Sequence, residues 1–282
     1  MPRPRLAIIS AAVLAVALQS GIAAAQDGVS VGKPSALRNL VPAEQLERQS
    51  AQQYASLKRQ AAEQRALAPE GHPQLERLRA IAQRIIPHAR RFNPRADQWR
   101  WEINLIGSRQ INAFCMPGGK IVFFTGILDT LRLSNDEAAV VMGHEIAHAL
   151  REHARERMAK SELTQLGAGL LGQLIAGGRF SGAFETGGSL LTLKFSRDDE
   201  SEADVVGLDL AARAGFDPRA GITLWQKMSQ ASKGAPPQWL STHPAGTNRI
   251  KEIEKHLPEV LPLYQKAAAG SAMPSAQQAP AR

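Results

Sequence analysis

The sequence His-Glu-Ile-Ala-His at positions 144–148 is the feature that most restricts how this chain can fold. At 3.6 residues per helical turn, His144 and His148 lie on one helix face, one turn apart. Their ring nitrogens can then bind one metal ion at the ~2.0–2.1 Å that zinc requires. Glu145 lies about 100° farther round the helix, in the position of a general base near the metal. The competing explanation is a chance match, which we estimate at roughly 1 in 100.

Apolar residues on every side of this motif predict that its helix is buried. Ser134 and Glu137 form a capping-box pattern, so we expect the helix to begin at Asn135 and to continue to about Met158. A single buried histidine is usually a hydrogen-bonded core residue, but two histidines and a glutamate on one buried helix are not explained in that way. A bound metal explains them.

Two histidines leave the site incomplete, because catalytic zinc usually has three protein ligands and one water molecule. A second helix is predicted from Arg197 to about Ala214, and it starts with an acidic run. Glu200 and Asp204 share a face of it, whereas Glu202 points roughly 200° away from Glu200. We predict that Glu200 is the third ligand and that Asp204 orients a ligand histidine. Acidic residues that only suit the helix dipole are the alternative.

The rest of the chain is mostly helical, with one region of strand character. Alternating apolar residues predict a strand over 99–105, and two short strands follow over 112–114 and 121–124, separated by a Pro-Gly-Gly turn. Helical periodicity is clearest at 73–91. We therefore expect an α+β fold, a mostly helical domain over 73–260 with a small β-sheet.

Several segments together resemble the zinc endopeptidases of peptidase family M48, which include the CAAX prenyl endopeptidases and the heat-shock protease HtpX. These segments are 112–114, 117–119, 134–148, 197–204, 214–218, 242–244 and 249–250, and the match covers about 73–256. The resemblance implies a zincin-like (gluzincin) fold and one Zn²⁺ per chain. It also implies that Glu200 is the third ligand and that His243 and Arg249 belong to the site.

Within that family the chain looks like the exported bacterial branch, which takes part in the quality control of envelope and outer-membrane proteins. The implied partners are unfolded or misfolded protein substrates. An extended peptide can add to an open sheet edge, and Asn112, Ala113 and Phe114 are our candidates for that substrate-binding edge. An ordinary interior strand is the alternative. The branch often carries tetratricopeptide repeats after the peptidase domain, and we expect none here.

A peptidase site also needs a donor for the developing oxyanion. His243 is a better candidate than the tyrosines, which lie in the flanking segments, and an inert loop histidine is the alternative. Arg249 is then structural or positions His243. Two other functions stay open: a non-proteolytic periplasmic chaperone or assembly factor that keeps the zinc site, and a zinc hydrolase of another amide bond.

The beginning of the chain has the layout of a secretory signal peptide over residues 1–25. Two arginines precede an apolar run of 13 residues at 6–18, and Ala25 ends a run of small residues. That run is too short for a membrane span, which needs about 20 residues. We expect cleavage after Ala25 and a periplasmic location. Residues 26–72 are predicted as a linker and helical extension, and 261–282 as a disordered tail.

The formal net charge is +8, but acidic residues are interspersed with the basic ones and no nucleic-acid motif is present. We expect no nucleic-acid partner, and at most a weak, peripheral attraction to anionic membrane surfaces. Cys115 is the only cysteine, so no internal disulfide forms. The glycine-rich segment 166–188 is predicted to be either a mobile lid over the site or a buried helical hairpin.

Overall fold

The computed structural model of the protein describes residues 27–166, 190, 194–233, 237–243 and 248–272. The predicted signal peptide lies outside the described residues. The same is true of the glycine-rich segment 166–188, apart from its first residue. Among the described residues, no helix combines the length and apolar character needed to cross a lipid bilayer.

A three-stranded sheet occupies the middle of the described chain. Its strands are β1 (Glu102–Ile106), β2 (Ala113–Met116) and β3 (Lys120–Phe124), in the order β1-β3-β2. β3 pairs in parallel with β1 and antiparallel with β2, so β2 lies at an edge. The first strand begins three residues later than predicted, because the chain before it forms a 3-10 turn capped by Trp99.

Helices make up most of the remaining structure. They are α1 (Ala43–Glu63), α2 (Pro73–Ile85), α3 (Thr125–Thr130), α4 (Asn135–Leu150), α5 (His153–Leu166), α6 (Arg197–Arg213), α7 (Ala220–Ala231), α8 (Gln238–Thr242) and α9 (Arg249–Ala272), with 3-10 turns at Ala36–Leu40, Ile86–Arg91 and Pro94–Gln98. The predicted α+β class, mostly helical with a small sheet, is confirmed.

The predicted helix from Asn135 to about Met158 is wrong in its second half. It divides into α4 and α5 at Glu152, which has the left-handed backbone angle φ 60°. The Glu152 carboxylate accepts ion pairs from Arg38 and Arg155, and this side chain is only 8% exposed. A long-range ion pair to Arg38 and a local one to Arg155 therefore stabilise a backbone conformation that is unfavourable for a residue other than glycine.

The predicted disordered tail over 261–282 is also wrong in its first part. Helix α9 continues to Ala272, and Val260 and Leu263 on it are buried in the main core. The alanine-rich composition that suggested disorder is equally that of a good helix former, and an apolar anchor decides between the two. Residues 273–282 lie outside the described part of the chain.

The first residues of the predicted linker over 26–72 are not free either. The Val29 amide donates to the Asp209 carboxylate on α6 at 3.0 Å, and Val29 is buried in the main core. Arg213, one turn further along α6, reaches back to Asp27 at 3.2 Å. Gly28 has φ +96° between these anchors, and a Cβ there would lie 2.1 Å from an Asp209 oxygen.

Helix α4 is the centre of the fold. All residues from Glu137 to Leu150 are buried, and α4 packs against α6, α2, α7 and β2. A helix covered on every side is expected from its apolar composition. The metal-binding motif therefore lies in the interior, with its orientation fixed by packing from several directions.

Two glycines allow α4 and α6 to touch at the level of their backbones. A Cβ on Gly143 would lie 2.6 Å from the Gly207 carbonyl oxygen, and a Cβ on Gly207 would lie 2.7 Å from the His144 amide nitrogen. Neither distance is possible for real side chains. This contact is immediately beside His144, so it sets how near the acidic first turns of α6 come to the motif.

Replacing Gly143 by alanine should force the two helices apart. We expect a loss of about 1–3 kcal/mol in the free energy of unfolding, as for other overpacked cores, together with reduced bound zinc. Denaturant unfolding and metal analysis of the purified variant measure both.

Gly270→Ala is the matched control, because a Cβ at Gly270 on α9 meets no atom within 4 Å. It should not destabilise the protein. Equal stability of the two variants would show that the α4–α6 contact does not constrain the fold.

Candidate metal centre

Local sequence sets the beginning of α4 as predicted. The Ser134 hydroxyl accepts from the Glu137 amide at 3.1 Å, and the Glu137 carboxylate accepts from the Ser134 amide at 2.8 Å. This capping box fixes the first turn. Two to three turns later, His144, Glu145 and His148 are all 2–3% exposed.

Four buried side chains converge beside α4. His144, His148, Glu200 and His243 each offer one ligand atom, and these atoms lie within 4.8 Å of one another. His144 Nε2 is 3.1 Å from His148 Nε2 and 3.3 Å from His243 Nδ1. Glu200 oxygens lie 3.6 Å and 3.5 Å from the same two Nε2 atoms. Bonds of ~2.1 Å to a tetrahedral zinc would separate ligand atoms by about 3.4 Å.

The outer nitrogens of the two motif histidines explain why a cation fits here. His144 Nδ1 lies 3.1 Å from Asp204 Oδ1, and His148 Nδ1 lies 2.9 Å from His153 Nδ1. With each Nδ1–H donated outwards, both Nε2 atoms carry bare lone pairs that face each other. Burial, with the neighbouring histidines, holds the pKa of His148 well below its ordinary value, so the ring is neutral. Two histidine nitrogens and a glutamate oxygen are one of the ligand sets that catalytic zinc uses.

Arg249 organises the two acidic residues of α6. Its guanidinium donates to both oxygens of Asp204 and, at 2.5 Å, to Glu200 Oε2. Its other face lies over the Trp225 ring, 4.0 Å from the centroid. Burial alone would raise the pKa of Asp204, but Arg249 and His144 hold it below its ordinary value. Both carboxylates are therefore ionised in the protein interior.

Glu145 lies at the border of this cluster and is not one of the four converging groups. Its Oε1 accepts a hydrogen bond of 2.6 Å from Trp239 Nε1. The Trp239 ring stacks on His243 at 4.9 Å between centroids and contacts the edge of His144. Trp239 was not predicted as a site residue. Its neighbours in the sequence give no signal for this role, because the contact joins residues 94 positions apart.

His243 is the fourth group of the cluster. A catalytic zinc usually binds three protein ligands and one water molecule, so His243 takes the place expected for the water. It is 3.1 Å from Glu200 Oε1 through Nδ1 and 3.6 Å from Glu145 Oε1 through Nε2. Burial by itself would lower the pKa of His243, but the charges of Glu145 and Glu200 raise it. The predicted role as oxyanion donor requires that this ring leave the fourth position when substrate binds.

A cleft opens beside Glu145 and His148, and β2 forms one of its walls. The predicted substrate-binding residues Asn112, Ala113 and Phe114 all line it. Asn112 precedes β2, and the other two are its first residues. The other lining residues are Cys115, Met116, Pro117, Ala154, Leu190, Phe195, Thr242 and His243. The edge strand β2 and the Glu145 carboxylate thus face the same space.

A second group of side chains, also missed in the sequence, lies on the far side of His148. His153 Nε2 is 2.8 Å from Glu202 Oε2, and Glu202 Oε1 accepts from Arg151 at 2.7 Å. Phe195 stacks on the His148 ring, with centroids 3.9 Å apart and planes 27° apart. As the helix geometry predicts, Glu202 does not point at the ligand cluster.

Glu200→Ala should lower zinc occupancy strongly, because it removes the only carboxylate among the four groups of the described site. Loss of one of the zinc ligands should weaken binding by at least tenfold. Metal analysis after dialysis against a weak chelator measures this.

Asp198→Ala is the matched control, since Asp198 is an exposed acidic residue in the first turn of the same helix. Equal zinc loss in both variants would mean that the acidic turn acts only through its charge.

Three curated proteins illustrate the similarity of this chain to known peptidases. The mitochondrial metalloendopeptidase OMA1 of Saccharomyces cerevisiae is 32% identical over 230 residues, which are 77% of this chain and 65% of that protein. The Arabidopsis thaliana protein of the same name is 38% identical over 173 residues, 60% of this chain and 35% of its own. The beta-barrel assembly-enhancing protease of Escherichia coli is 28% identical over 206 residues, 68% of this chain and 40% of its own.

The chain thus spans between 35% and 65% of the length of these relatives. The sequence profile of Peptidase family M48 matches residues 72–257, which contain every residue of the metal cluster. A mostly helical domain with a small sheet, two motif histidines on one buried helix and a glutamate from a second helix agree with that match. The chain belongs to peptidase family M48.

Proposed function

We propose that this protein is a zinc-dependent endopeptidase that cleaves unfolded or misassembled envelope proteins in the bacterial periplasm. One observation carries the proposal: Glu145 lies between a zinc-type ligand cluster and a cleft that has a strand edge along its wall. A metal site alone would serve several functions. A carboxylate base and a peptide-binding edge beside the same metal site favour hydrolysis of a polypeptide.

The metal and the protein side chains have different roles in the proposed hydrolysis. Zinc held by His144, His148 and Glu200 would act as a Lewis acid and would lower the pKa of a water molecule to about 7. Glu145 then takes a proton from the attacking water and returns it to the leaving amine. Trp239 holds the carboxylate towards the cleft through its 2.6 Å hydrogen bond. His243, once displaced from the cluster, is the proposed donor to the oxyanion.

The form of the cleft favours extended substrates. β2 pairs with β3 on one side, and among the described strands its other side has no partner. A peptide that pairs with a free strand edge is recognised through its backbone, so sequence matters less than extension. Folded proteins have their strands already paired, and unfolded segments therefore bind preferentially.

Two observations support an envelope location. The first 25 residues have the layout of a signal peptide, and one relative is named as a protease that enhances β-barrel assembly in Escherichia coli. The names of the other two relatives place those proteins in mitochondria. Unfolded outer-membrane proteins are accordingly our proposed substrates.

Glu145→Gln should abolish cleavage while zinc stays bound, because the carboxylate acts as a base and not as a ligand. The purified variant and the wild type are incubated with casein, with an unfolded outer-membrane protein and with its folded form, with and without chelator. Only the wild type should cleave, only without chelator, and only the unfolded chains.

Glu254→Gln, an exposed change on α9, is the matched control and should keep full activity. Turnover by the Glu145 variant would refute its role as base. Chelator-sensitive binding of clients without cleavage by the wild type would favour the chaperone alternative.

His243→Ala should retain zinc through the three remaining ligands and should lower kcat. Removal of an oxyanion donor typically costs about 10²–10³ in kcat. Metal content and steady-state kinetics on one unfolded substrate are measured together. A variant with higher kcat would instead show that His243 only blocks the position of the water.

A further inference from the structure

We propose that His153 and Glu202 are positioning residues for the zinc ligand His148, as Asp204 is for His144. The inference concerns metal binding and rests on the proposed function only in taking the ion to be zinc. It depends neither on the substrate nor on the location. Its test needs no substrate, so its failure and the failure of the proposed function are distinguishable.

A continuous series of hydrogen bonds runs from His148 through His153 and Glu202 to Arg151. His148 Nδ1 meets His153 Nδ1 at 2.9 Å, and His153 Nε2 meets Glu202 Oε2 at 2.8 Å. Glu202 is held in turn by Arg151 at 2.7 Å. Arg151 also donates to the carbonyl of Gly32. His153 and Arg151 are 2% and 6% exposed, so most of this series of hydrogen bonds is shielded from water.

The donor and acceptor properties of these side chains determine which atom donates in each hydrogen bond. A carboxylate only accepts, so His153 donates its Nε2–H to Glu202. An imidazole that donates through one nitrogen can accept through the other, so we assign Nδ1 of His153 as the acceptor of the Nδ1–H of His148. The lone pair of His148 is left on Nε2, which faces the metal cluster. Two side chains without any contact with the metal thereby select the tautomer that can bind it.

A carboxylate orients His144 in the same way, but no imidazole lies between the two groups. Its Nδ1 meets Asp204 directly at 3.1 Å, and Asp204 is held by Arg249. Each motif histidine therefore has a carboxylate behind it, and each carboxylate has an arginine. For His148 the carboxylate acts through an intervening imidazole.

The break between α4 and α5 allows the series of hydrogen bonds behind His148 to form. In a continuous helix, a residue five positions after His148 would lie about 140° away from it round the axis. The left-handed residue Glu152 turns the chain so that His153 packs against His148, with centroids 5.0 Å apart. Phe195 stacks on His148 and restricts the ring further. The local fold thus places a histidine where helical periodicity would not.

The test measures the zinc dissociation constant of the full chain by competition with a chromophoric chelator. His153→Phe keeps an aromatic ring but removes both hydrogen bonds, and we expect it to weaken zinc binding about 10- to 100-fold. Glu202→Gln retains the size of the side chain and should weaken binding about tenfold or less. Because Glu202 acts through His153, the double variant should bind no more weakly than His153→Phe alone.

The matched control is His256→Phe, which removes a histidine–glutamate hydrogen bond of 3.0 Å on α9. Circular dichroism melting of each metal-free variant shows whether it is folded. A zinc dissociation constant of folded His153→Phe within twofold of the wild type would overturn the proposal. Fully additive losses in the double variant would also overturn it. If His153→Phe does not fold, Glu202→Gln decides, because its carboxylate is 25% exposed and its replacement leaves the core intact; binding equal to the wild type then refutes the role.

Discussion

The backbone contact between α4 and α6 is the constraint on which the rest of the structure depends. Gly143 and Gly207 let the two helices approach until only hydrogen atoms fill the space at their crossing. Both motif histidines are on one helix, and the carboxylates behind or beside them are on the other. At a larger separation Glu200 would be farther from the ligand cluster, and Asp204 would be farther from His144. The absence of two side chains is thus a requirement of the metal centre.

Charge balance explains how so many ionisable groups remain buried around this crossing. The carboxylates of Glu145, Glu200 and Asp204, all buried, contribute three formal negative charges. Arg249 and a divalent zinc contribute three positive ones. Each ionised group also has a hydrogen-bonded or metal partner, which is the condition for burial in a medium of low dielectric constant. Loss of the ion therefore leaves an uncompensated interior as well as an inactive site.

Sequence reasoning was most successful where structure is decided locally. The first turn of α4 follows from the Ser134 capping box, and the common face of Glu200 and Asp204 follows from helical periodicity. It failed where distant segments decide. The left-handed Glu152 depends on Arg38, and Trp239 reaches Glu145 by tertiary packing across 94 positions of the sequence. No local pattern encodes these approaches, so His153 and Trp239 were unrecognised and α4 was predicted too long.

The docked N-terminal segment has a consequence for self-cleavage. An enzyme that accepts extended chains meets its own unstructured stretches at a far higher effective concentration than any other substrate. Here the Val29 amide is bound to Asp209, and Val29 itself is buried. Asp209 lies nine residues along α6 from Glu200, a distance of about 13.5 Å at 1.5 Å per residue. The segment around Val29 is fixed away from the cleft, and its backbone is not available to pair with β2. If the protein cleaves extended chains as proposed, this docking protects the segment around Val29 from self-cleavage.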